Sequence, residues 1–257
     1  MVIQNPTNCG ATDGQITVQA TNDDGIGGTG IIGIITGFAS ICVNGVKIHY
    51  GPDTPVTIDG RSSTTQDLAV GQMVVVRANG AGDEVTARNI AVFHAVVGPV
   101  DSFDPETGQM QVLDQTVQVH DQGQGHLEHL QASDWVQVSG HRLSDGTIIA
   151  SRIETSQPLE QAWITGHVTQ ADTTGFIVNG TRIEIDQQLR PEGIIPGAEI
   201  SASGQWNNAS LQVQHVQVDP TDQLIDQVER VVIEGYVQPI SSEEFNLGNQ
   251  TFILEPN

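Results

Sequence analysis

Two short stretches of this chain gather enough ligand-type side chains to do chemistry. The first, VHDQGQGHLEHL at 119–130, holds His120, Asp121, His126, Glu128 and His129 within ten residues. Imidazole and carboxylate ligands suit zinc or another transition ion, and a loop could fold His120 towards His126 and His129. The spacing is not that of an HExxH helix, so a solvated loop rich in histidine is the plain alternative. The second stretch, DSFDPETGQ at 101–109, sets Asp101, Asp104 and Glu106 around a turn. Their oxygens could hold calcium, but the EF-hand pattern is absent, and Asp-Pro followed by Thr-Gly is ordinary turn chemistry. A divalent cation, calcium or zinc, is therefore the one candidate cofactor.

No Ser-His-Asp or Cys-His arrangement stands out, and no catalytic residue is assigned. GGTG at 27–30 lacks the lysine and the strand-to-helix context of a phosphate-binding loop. Acidic residues outnumber Lys and Arg by 31 to 9, a formal charge of −22 that would repel a phosphate backbone. Aromatics are 4% of the chain, and Trp135, Trp163 and Trp206 fall at strand or turn positions, where core packing is the commoner role. Nucleic acid is excluded on both counts. A sugar-binding face stays open. Cys9 and Cys42 are too few for a disulfide scaffold and too far apart for a zinc knuckle; Cys42 reads as a core thiol, with a Cys9–Cys42 bridge as the oxidising alternative.

The elements that would carry these residues are short strands. Glycine is abundant at 28 residues, and valine, isoleucine, threonine and glutamine fill short runs between turns. Self-comparison finds four units opening on apolar residues around a glycine: IITGFAS at 34–40, VVGPVDS at 96–102, WITGHVT at 163–169 and VIEGYVQ at 232–238. The glycines Gly37, Gly98, Gly166 and Gly235 are spaced by 61, 68 and 69 residues. A hairpin follows each opening, with Asn44-Gly45 and Asn179-Gly180 as the preferred pair for a two-residue turn. A second strand pair then closes each complete unit, and QMVVVRA, WVQVSG and EISASG read as period-two strands. About five strands per unit predict an all-β fold, a tandem array of small five-stranded OB-like barrels that leave few sheet edges open. The expected boundaries are an N-terminal extension at 1–27, barrels at 28–94, 95–158 and 159–221, and a partial fourth unit at 222–257 consisting of a first hairpin.

The progression GIITGFASICVNGVKIHY, TIDG, DLAVGQMVVVRANG, then VVGPVDSFDPETGQMQVLDQTVQV and SGHRLSDGTIIASRIE, resembles the bacterial DUF5666 repeat family. The resemblance spans about residues 28–257 and is most specific in the first two units. It implies OB-like barrels in exported or lipid-anchored proteins of the Gram-negative cell envelope, and it brings no catalytic residues. No signal of that kind opens this sequence, and Cys9, after Pro6, Thr7 and Asn8, makes a poor lipidation box.

The remaining expectation concerns edges. Gln15, Ile16, Thr17 and Val18 lie in a candidate strand outside any complete unit, while Phe245, Leu247, Phe252 and Leu254 belong to the fourth unit's hairpin. Unpaired edges recruit strands. The expected protein is thus a non-enzymatic, exported structural or protein-interaction module of the cell envelope or extracellular matrix, self-assembling head to tail into filaments by strand donation. A divalent-metal or polysaccharide-binding protein is the alternative.

Overall fold

A computed structural model describes residues 28–38, 40–119, 127, 129–225, 228–241, 244–247 and 250–253. The first barrel is built from β1 (Thr29–Gly37), β2 (Ile41–Val43), β3 (Val46–His49), β4 (Val56–Ile58), β5 (Arg61–Ser63), β6 (Met73–Asn79) and β7 (Glu84–Phe93). β1 pairs antiparallel with β2 and β6, β2 with β3, β6 with β7, and β3 runs parallel to β7, which closes a five-stranded ring. The β4–β5 hairpin is an addition, laid parallel on the far half of β7.

The same ring is made twice more along the chain. β8 (Val96–Asp104), β9 (Gln109–Val112), β10 (Gln115–Gln118), β11 (Trp135–Arg142) and β12 (Ile148–Ser156) close through β8–β9, β9–β10, the parallel pair β10–β12, β11–β12 and β8–β11. β13 (Ala162–Ala171), β14 (Gly175–Val178), β15 (Thr181–Glu184), β16 (Glu199–Trp206) and β17 (Leu211–Val218) close in the same order. The all-β, OB-like architecture expected from the sequence is therefore what forms. Beyond the third ring come the short helix α1 (Pro220–Ile225), β18 (Arg230–Ile233) and a three-stranded sheet of β19 (Val237–Pro239), β20 (Glu244–Leu247) and β21 (Gln250–Ile253).

The first hairpin of each ring turns through two left-handed residues, as a type I′ connection requires. Asn44 and Gly45 have φ of 48° and 76°, and Asn179 and Gly180 have 47° and 112°. In the second ring Leu113 and Asp114 adopt 52° and 61°. A left-handed leucine is disfavoured by roughly 1–2 kcal/mol. Leu113 is fully buried, however, with its methyls 2.7–3.1 Å from where a Cβ on Gly98 would stand, so packing offsets the backbone cost.

Each core is the inward face of its ring. Ile31, Ile35, Val74, Val76, Ile90 and Val92 centre the first. One continuous cluster, including Val96, Met110, Val138, Ile164, Phe176 and Ile200, runs through the second and third. Cys42 belongs to β2, is buried, and is disulfide-bonded rather than the core thiol expected; Cys9 lies outside the described residues.

Two sequence readings change. Every first strand carries a bulge, between Ile35 and Gly37, Val100 and Ser102, and Val168 and Gln170. Counting back from the bulge aligns Gly33, not Gly37, with Gly98 and Gly166, and their partners Val74, Val136 and Ile200 agree. Gly33 and Gly37 flank the triplet Ile34-Ile35-Thr36, so glycine spacing alone did not separate them; the corrected spacings are 65, 68 and 69 residues. The run MVVV does not alternate either: Val74, Val75 and Val76 are all buried, because both faces of β6 are covered.

Candidate interaction edges

Ring closure leaves one backbone stretch unspent. The amino-terminal half of each first strand pairs on one side with the ring's fourth strand, while the second strand takes the other side only along the carboxyl-terminal half. The unclaimed half-edge must find partners, since buried N–H and C=O groups are costly to leave open. In the second and third rings the two half-edges satisfy each other: β13 pairs antiparallel with β8, Trp163 opposite Val97 and Ile164 opposite Val96, and Thr165 N–H donates to Ala95 C=O at 3.0 Å. In the first ring the half-edge takes β18, parallel to β1, with Thr29 opposite Arg230 through Ile32 opposite Ile233. Sequence comparison groups β18 with the fourth unit, yet its ladder is made with the first.

The residue after the aligned glycine decides how each edge is finished. In the third ring His167 N–H donates to Asn179 Oδ1 at 3.0 Å, so the turn asparagine caps its own barrel. The second ring has Pro99 there, with no N–H to cap, and Leu113 in place of the asparagine. In the first ring Ile34 N–H donates to Glu234 Oε2 at 3.0 Å, and Asn44 Nδ2 turns to the Ile233 carbonyl at 3.1 Å. Gly33 makes room for this: a Cβ there would stand 2.5 Å from Glu234 Oε2 and 2.9 Å from Glu234 Cβ.

The joint of the second and third rings holds a buried cation. Arg142, at the end of β11, donates from one guanidinium nitrogen to Gln115 Oε1 at 2.6 Å and Gly146 C=O at 2.7 Å, and from the other to Thr165 C=O at 2.8 Å. Burial pushes its pKa down to about 10, which leaves it protonated at neutral pH. Gln115 Nε2 donates to the Val178 carbonyl at 2.9 Å and to Thr181 Oγ1 at 2.6 Å, and the Thr181 hydroxyl donates to Leu113 C=O. Carbonyl and amide dipoles thus stabilise the guanidinium, and the same bonds tie two hairpin turns together. His167, beside it, is held below the ordinary imidazole pKa by burial and by the Arg142 charge.

The side chains singled out for metal do not converge where they can be placed. Asp104 accepts from Glu106 N–H at 2.9 Å and Thr107 Oγ1 at 2.8 Å, and Asp101 accepts from Asp114 N–H at 3.1 Å, so both carboxylates serve turns. His120, Asp121, His126 and Glu128 lie outside the described residues, and only His129 of that cluster is inside them. Among the described residues no group of three His, Cys, Asp or Glu side chains is placed to hold a metal ion. Of the assembly residues, Phe245 is buried on β20; Leu247 and Phe252 are placed by backbone in the β20–β21 pair, with Leu247 opposite Gln250 and Phe252 opposite Phe245. Gln15, Ile16, Thr17, Val18 and Leu254 lie outside the described residues. Sequence reasoning missed Arg142, Gln115, Thr181 and Glu234. Arg142 offered a signal, being one of only 9 basic residues and standing at a strand end.

No described helix is long and apolar enough to cross a membrane. Two segments of the chain, residues 29–91 and 97–154, match a family model described as a domain of unknown function, DUF5666. They coincide with the first and second rings, and the third ring repeats their strand order outside the matched residues. No curated protein and no solved structure matches the chain.

Proposed function

Starting from the chain's place in the DUF5666 family, carried by residues 29–91 and 97–154, we propose that it is a non-enzymatic, exported structural and protein-interaction module of the cell envelope or extracellular matrix, which joins β-barrels through the half-edges of their first strands. The observation that carries this reading is the pair of joints β1–β18 and β8–β13, in which a first strand pairs with a first-strand segment of a different repeat. Main-chain pairing at an open edge is a general mode of protein recognition. One joint is parallel and the other antiparallel, which supports a half-edge open to strands of either direction. The disulfide at Cys42 fits an oxidising compartment.

Two measurements on the native protein test this. Cell fractionation is expected to recover it from the envelope or the medium, and sedimentation velocity to show species larger than one chain as concentration rises. Recovery in the cytosol overturns the export half; a single monomeric boundary at every concentration, together with no envelope protein retained on the immobilised chain, overturns the interaction half.

A further inference from the structure

The first barrel differs from the third on its outer face. Ile32, Val75, Ala91 and Phe93 form a separate apolar cluster there, packed against Met73, Leu224, Ile225 and Ile233. In the third ring the residues aligned with Ile32, Met73, Val75 and Ala91 are Thr165, Glu199, Ser201 and Gln217, all polar. The first barrel is thus built with a face that needs a cover, and the cover is α1 and β18.

That cover is held by more than apolar contact. Glu229 N–H donates to Gly28 C=O at 3.0 Å, Glu234 N–H to Ile32 C=O at 2.9 Å, and Arg230 to Gly82 C=O at 3.1 Å, around the four-residue parallel ladder. A Cβ on Gly30 would lie 2.8 Å from Ile225, and one on Gly33 would meet Glu234. Two glycines three residues apart therefore shape β1 to this segment. Within the described residues β18 has no ladder partner other than β1, and the contact closes over 200 residues between Ile34 and Glu234. Residues 221–234 cluster with the first barrel, while 94–220 and 235–257 cluster apart from it.

We infer that residues 221–234 are an exchangeable docking strand, and that the surface formed by β1 and the outer face of β6 and β7 receives the same segment from a second copy of this chain. Exchange keeps every contact and changes only which chain supplies it, the condition under which strand swapping is cheap. This rests on the interaction reading above and adds to it the donor, the acceptor and the partner. The other half-edges do not compete for a strand bearing Glu234: Pro99 offers no N–H, and the His167 N–H is already capped by Asn179.

Complementation between full-length chains tests it. Gly33→Val puts methyls where Glu234 sits and spoils the acceptor but not the donor; Val232→Pro removes a ladder N–H and spoils the donor but not the acceptor. Each variant, unfolded and refolded at about millimolar chain concentration, where linked and separate segments compete evenly, is expected to sediment as a monomer. A mixture refolded together is expected to yield a complex holding one chain of each. Wild-type association with no mixed complex overturns the inference and leaves the interaction reading standing, since another surface then joins the copies. A wild type that stays monomeric overturns the inference, and with no envelope protein retained on the immobilised chain the interaction reading falls as well. Glu234→Gln replaces a charged acceptor by a neutral one in the closed and the exchanged contact alike, so it is expected to leave the monomer–dimer ratio of the wild type unchanged while speeding exchange between differently labelled chains; a ratio shifted about tenfold overturns the proposal, because Glu234 then contributes differently to the two states.

Discussion

Arg142 is the residue on which most of the second and third rings' joint depends. Its guanidinium is buried among carbonyl and amide oxygens rather than a carboxylate, so truncation leaves several acceptors without donors and without water. Arg142→Met is expected to destabilise by about 3 kcal/mol, and calorimetry is expected to show the loss in the transition of the unit containing residues 94–220, not in that of the first barrel. A single shared shift of all transitions would contradict this. Beyond its place at a strand end, the sequence around Arg142 does not reveal its role, which arises from Gln115 and Thr165, 27 and 23 residues away. The aspartates at 101 and 104 show the reverse: their spacing was legible as turn or ligand chemistry, and their geometry is that of turns.

At the scale of elements, the five-strand plan was readable because alternation and turn chemistry are local. Asn44-Gly45 and Asn179-Gly180 declared their hairpins, and Ser144-Asp145-Gly146 and Asn207-Asn208 declared others, with Gly146 and Asn208 at φ of 94° and 72°. The Leu113-Asp114 turn was placed by homology between repeats, since no local rule favours leucine at positive φ. What could not be read was the use of the half-edges, which depends on strands far apart in sequence. One signal was available: three consecutive buried valines in β6 mean that both faces are covered, and so that something lies outside the barrel. The aligned glycines admit a test at this scale. Gly98→Ala places a methyl within 2.7 Å of Leu113 Cδ2 and is expected to destabilise by about 1–3 kcal/mol. Adding Leu113→Asn, the residue of the other two turns, is expected to recover part of that loss in thermal melts; a double variant worse than the sum of the two would refute the packing account.

The whole molecule carries a charge of −22, and its acid sensitivity follows from where those carboxylates are held. Arg182 and the Thr174 amide keep the Asp172 carboxyl far below its ordinary range. Hydrogen bonds from Ser63 and Thr64 lower Asp67, the Lys47 ammonium lowers Glu84, and Gln212 and Ser210 lower Glu184. The unfolded chain binds protons at these groups first, so their stabilisation is complete above the ordinary carboxylate range and lost as pH falls through the folded values. His167 acts in the same direction from higher pH: its folded pKa lies below the usual imidazole value, so the unfolded chain protonates first there too. Asp114, raised by burial and by Asp101, opposes the trend. Stability is therefore expected to fall on acidification from about pH 6.5 and more steeply below about pH 4, with Asp172→Asn flattening the lower limb in urea titrations. A melting midpoint that rises on acidification would refute the assignment.

The directions of the two strand joints set different rules for growth. The antiparallel joint places Val96 opposite Ile164, which are aligned residues of their repeats, so it has a local twofold axis and each partner consumes the other's half-edge. Such a joint terminates itself. The parallel joint runs β1 and β18 in the same direction, so no twofold axis across the pair relates them, and donor and acceptor are distinct surfaces. Chains linked in that way have polarity, with an unfilled acceptor at one end and an unplaced donor strand at the other, and whatever caps either end sets the length.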